Sequence, residues 1–219
     1  MPARINSTDT FDAIENECMF TRSALKADYD ANALLSETDG WLGQVDAARA
    51  KDREFRVADM EAMASRSIAN VRLDISCLAF GKDLLYAVGD RKAPRFVGFF
   101  PIAPTRWVKQ GLDKQILGIK GWLTVNGDVE LDKHRENLGL RVAGASDSQV
   151  AVASLAPARG LNWQMRRDLA DAMTRARDGL HRALAELAEE KNLPRDWPDA
   201  FFRIEERESP PVQPGPPPV

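Results

Sequence analysis

Residues 53–88 read REFRVADMEAMASRSIANVRLDISCLAFGKDLLYAV, and the reading of this stretch decides the fold class. It holds no proline, its first glycine is Gly81, and its apolar residues fall at Val57, Met60, Ala64, Ile68, Val71, Ile75, Leu78 and Leu85. Steps of three and four residues, with one of seven across Lys82, line these side chains up on one stripe of an α-helix. That face is expected to be buried. A second stretch of the same kind runs from about Trp163 to Lys191, with Met165, Leu169, Ala172, Met173, Ala176, Leu180, Leu184 and Leu187 on one side. Two such helices predict an all-α chain, an antiparallel up-and-down helical bundle of about four long helices.

Working toward the amino terminus, Leu25, Tyr29, Leu34, Leu35, Trp41, Leu42, Val45 and Ala48 keep helical steps across residues 23–50, as one helix or two abutting ones. Gly40 and Gly43 weaken its middle, each by roughly 1 kcal/mol against alanine. Ala50, Lys51, Asp52 and Arg53 are read as the hairpin turn into the next helix, with unbroken continuation as the alternative. Earlier still, Asn6, Ser7, Thr8 and Asp9 before Phe11 look like a turn or cap opening a short amphipathic segment.

On the other side, Gly89 and Pro94 mark a helix exit. PRFVGFFPIAP, residues 94–104, reads as a buried connector, because proline is excluded from a helix interior. Thr105 is then expected to cap a helix carrying Trp107, Val108, Leu112, Ile116, Leu117 and Ile119.

The middle of the chain supports two readings. Asn126-Gly127 between alternating apolar residues is a strong hairpin signal. The alternative fold is therefore α+β, with small β-hairpins in 119–155. Leu138, Val142, Ala145, Gln149, Val152 and Ala156 instead keep helical spacing. A weak repeat favours the helix: GDRKAPRFVGFF (89–100) and KNLPRDWPDAFF (191–202) both follow an amphipathic helix and close on paired phenylalanines. Two repeated helical hairpins would span 23–100 and 127–202. Pro157 to Gly160 reads as a turn, with Asn162 as the following cap. The expected organisation is one helical domain over 1–208 and a proline-rich, extended or disordered tail over 209–219.

At 219 residues and 44% hydrophobic content the chain can bury a core without metals or disulfides. Thirty basic and 33 acidic side chains leave a net charge of −3, so no bulk attraction to nucleic acid or anionic membrane is expected. No apolar run is long enough to span a bilayer, and no basic segment followed by an apolar run begins the chain; a cytoplasmic location is expected. Cys18 and Cys77 lack metal-site spacing, and Cys77 beside the stripe reads as a buried hydrophobe.

No catalytic, metal-binding or cofactor-binding residue is predicted. His134 and His181 belong to no nucleophile or zinc motif, and no glycine-rich phosphate loop occurs. Asp178 and His181 at i, i+3 resemble half of a di-metal bundle site, but the Glu-x-x-His such sites use is missing. Arg166, Arg167, Arg175, Arg177 and Arg182 crowd the first two thirds of the last helix, opposite to the preference of its dipole. Interleaved Asp168, Asp171 and Asp178 disfavour phosphate binding there. The function expected is therefore a non-enzymatic protein-interaction or scaffold protein, self-association included. The five arginines and tail residues Pro210, Pro211, Pro216, Pro217 and Pro218 are its candidate partner-binding groups. The alternatives are a nucleic-acid-associated accessory protein using the arginine-rich helix, and a metal- or small-ligand-binding bundle.

Overall fold

The computed structural model describes residues 2–203, which are all-α, with no strand among them. The helices are α1 (Phe11–Ala27), α2 (Trp41–Val88), α3 (Pro94–Phe99), α4 (Pro104–Trp107), α5 (Leu112–Leu123), α6 (Val129–Ser154) and α7 (Ala156–Lys191). Two 3-10 segments, Ala31–Thr38 and Trp197–Phe201, complete the described elements. The proline-rich tail, with Pro210, Pro211, Pro216, Pro217 and Pro218, lies outside the described residues.

Several boundaries differ from expectation, each for a local reason. No turn forms at Ala50–Arg53; α2 runs through these helix-compatible residues for 48 positions. The break falls at Gly40 instead, whose φ of +84° suits glycine. The alternative of a β-hairpin at Asn126-Gly127 is not formed, and the helical reading of this region holds. Gly127 does take a positive φ of 77°, but Asp128 beside it caps α6, accepting from the Glu130 and Leu131 N–H groups at 3.1 and 2.9 Å. Arg95 grips the same carboxylate at 2.7 and 2.8 Å and holds it below the usual carboxylate range. The turn chemistry is real, but it joins two helices.

Nor is 94–104 a non-helical connector. Pro94 and Pro104 each open a short helix at the first position, where a missing N–H costs nothing. Pro157 likewise lies in the first turn of α7, so the predicted turn at 157–160 is helical. Thr105 and Asn162 are therefore inside helices rather than caps, and Asn162 donates to Asp52 Oδ1 at 2.9 Å.

The described residues form two compact units, one from residues 2–53 and 160–203 and one from the intervening residues 54–159. In the first, Ile14, Cys18 and Leu25 of α1, Trp41 and Val45 of α2, and Leu169, Met173, Leu180 and Leu184 of α7 share a core. Here α1 and α2 run antiparallel: Arg49 pairs with Asp12 and Glu15 at one end, and Arg22 with Asp39 at the other.

In the second unit, Leu73, Cys77, Phe80 and Leu84 of α2 meet Leu131, Leu138, Val142 and Ala145 of α6. Polar contacts set an antiparallel register, with the Ser76 hydroxyl donating to Asn137 at 2.7 Å and His134 Nε2 2.9 Å from Asp83. Aromatic side chains fill the rest: Phe96, Phe99, Phe100, Trp107 and Trp122. A Cβ at Gly118 would come within 2.8 Å of the Trp107 ring, so glycine there lets the indole lie on α5.

The largest departure concerns the opening stretch. Cys77 is fully buried as expected, but the predicted stripe is not the core face. Val57, Met60, Ile68, Val71 and Ile75 are 48–69% exposed, while Leu73, Cys77, Phe80 and Leu84 are fully buried. At about 100° per residue the two rows stand on roughly opposite sides of α2. The buried set also recurs a hundred residues on, as Leu73 with Met173, Cys77 with Arg177, Phe80 with Leu180 and Leu84 with Leu184. This offset is two residues short of the 102 that separates the paired phenylalanines Phe99-Phe100 and Phe201-Phe202.

Candidate interaction surface

The outer face of α2 within residues 54–88 has three properties that matter for recognition. First, its apolar side chains are contiguous: Val57, Met60, Met63, Ala64, Ile68, Val71 and Ile75 follow one another at helical spacing, and all are exposed. Second, Val57, Ala64 and Val71 are separated by seven residues, with Ile68 and Ile75 interposed four residues after Ala64 and Val71; the spacing continues to Leu78 and Leu85, which are half-buried, Leu85 against the core. This is the repeat by which one helix presents a constant seam to another. Third, no side chain in residues 53–72 is buried, so core packing does not account for these apolar residues. Contiguous exposed apolar rows of this kind are found where proteins meet a partner, a ligand or a membrane. Met60 and Met63 add unbranched, adaptable side chains to it.

The arginines of the last helix do not form one patch. Arg166 lies over the Phe11 ring, 5.0 Å from its centroid, donates to the Asp9 carbonyl at 3.3 Å and stands 3.8 Å from Asp52. Arg167 stacks on Trp163 at 4.6 Å. Arg175 and Arg182 are exposed, and Arg182 donates back to the Asp178 carbonyl. Arg177 points inward and is 2% exposed, donating to Glu17 at 2.8 Å and to the Ala3 carbonyl at 3.0 Å, with Phe202 beneath it. Burial pushes its pKa below the usual guanidinium range, and the Glu17 charge opposes that shift. Arg177 therefore belongs to the core of its unit.

Groups that could carry chemistry are engaged in packing. Burial raises the Cys18 thiol to about 11 and the Cys77 thiol to about 12, so both stay protonated near neutral pH. His181 does not pair with Asp178; its Nε2 is 2.9 Å from Asp199, which it holds below the usual carboxylate range, and its ring packs against Phe202. Among the described residues no cluster of three or more His, Cys, Asp or Glu is placed to hold a metal ion. An open cleft of about 310 Å³ lies between Arg4–Thr8 and Arg167, Ala170 and Asp171 of α7. Arg4 is already 3.3 Å from Asp171 within it. No described helix is long and apolar enough to cross a membrane.

Comparison with protein-family models, with curated proteins and with solved structures finds no match to the chain.

Proposed function

We propose that this is a non-enzymatic interaction or scaffold protein that receives a helical partner along the outer face of α2. The observation that carries this reading is the exposed row from Val57 to Ile75, seven-residue spacing included. Each apolar side chain of that size gains roughly 1.5–3 kcal/mol when fully buried, so covering several half-exposed ones supplies a binding energy without any catalytic group. The arginine-rich helix supports a nucleic-acid role less well, because Arg177 is buried and Arg166 is held by Asp9 and Asp52.

The test compares the tagged full chain with Ile68→Glu/Ile75→Glu. Charges set into a closed apolar contact should reduce recovery of co-purifying proteins, further copies of the chain included, by at least about tenfold, or 1.4 kcal/mol. The helical circular dichroism signal should stay unchanged. Equal recovery by both forms would refute the reading.

A further inference from the structure

We infer that the occupant of this face is a second copy of the chain, its α2 lying antiparallel to the first about a two-fold axis near Arg66. This deepens the proposed function and rests on it.

Placing the axis at residue 66 sets Val57 against Ile75 of the other copy and Ala64 against its Ile68, each pair equidistant from the centre. Apolar residues thus meet apolar residues at both ends and at the centre of the row, the self-complementarity an isologous contact demands, while Met60 falls opposite Arg72 and Val71 opposite Glu61. Small residues sit where the helices would cross most closely: Ala64, Ser65 and Ser67, all exposed.

Charge points the same way. On the exposed face between Val57 and Ile75 the charged residues are Glu61, within the apolar row, and Arg72, beside Val71 at its edge. They lie five residues before and six residues after the centre, so antiparallel pairing sets each glutamate opposite Val71 of the other copy and one residue from its Arg72, twice by symmetry. A parallel pair would set Glu61 directly against Glu61, a like-charge contact inside an apolar seam. Opposite charges then fix register and direction, as flanking charges do in helical pairs.

The geometry is checked by single-cysteine cross-linking with a short bismaleimide on the full chain, the native Cys18 and Cys77 both being buried. Ser67→Cys, beside the axis, should give a covalent dimer. Val57→Cys alone should not, because nine residues from the axis on each copy separates the two thiols by about 27 Å. Val57→Cys combined with Ile75→Cys should cross-link again. Sedimentation equilibrium should give twice the chain mass, and Ile68→Glu should weaken association at least tenfold with unchanged helicity.

A dimer trapped by Val57→Cys alone would overturn the antiparallel register. A wild-type chain that sediments only as a monomer would overturn self-pairing. If that monomer still loses co-purifying proteins in Ile68→Glu/Ile75→Glu, the helical-partner reading stands with a different occupant; if it loses none, both fall.

Discussion

Arg177→Ala is expected to destabilise the unit formed by the chain ends by about 3–5 kcal/mol, the usual cost of removing one partner of a buried ion pair. The guanidinium is 2% exposed, 2.8 Å from Glu17, and also satisfies the Ala3 carbonyl. Removing it takes the cation from a carboxylate whose side chain is only 16% exposed and opens space against Phe202. The loss should appear in denaturant unfolding as a lower midpoint. Arg177→Met with Glu17→Gln, which removes both charges and fills the volume, should recover most of it. A loss under about 1 kcal/mol for the single variant would place Arg177 among ordinary surface arginines.

Phe80→Ala should cost a similar 3–5 kcal/mol, here in the unit of residues 54–159. Phe80 is fully buried, with ring centroids of Phe99, Phe100 and Trp122 at 5.1, 5.8 and 5.6 Å and the His134 ring at 5.8 Å. Removing the ring leaves a void bounded by rigid aromatics that cannot close over it, the situation in which large-to-small changes cost most. Because Trp122 is one of those neighbours, its fluorescence should report both the lower midpoint and a changed native spectrum. A midpoint shift worth less than about 1 kcal/mol would mean that the aromatic cluster relaxes freely.

The all-α class was legible because α2 and α7 carry long runs of three- and four-residue steps, and the row from Leu169 to Leu184 is buried as its spacing implied. What spacing could not settle was which of two apolar rows on α2 faces inward. Both repeat correctly; the outer one is longer and more even, the inner one heavier, with Phe80 and Leu84. Side-chain volume was the available signal, since tight packing rewards large rings. Asn126-Gly127 kept the α+β alternative open for a related reason: a glycine turn is equally good before an N-cap, and Asp128 supplies that cap. Arg177 could not be distinguished from its neighbours by composition, because burial of one arginine among five depends on Glu17, far away in sequence. The candidate surface itself was written in the opening stretch, assigned to the wrong side of the helix.

Helix α2 is apolar on two faces, one packed and one presented outward. The unfolding free energies of Ile68→Asp and of Leu73→Asp, at a dilution where the chain sediments as a monomer, test this most directly. Ile68→Asp should stay within about 0.5 kcal/mol of wild type, as surface changes do. Leu73→Asp buries an unpaired charge and should cost more than about 4 kcal/mol or abolish folding. Comparable losses from both substitutions would contradict the account, because the face carrying Ile68 would then be core.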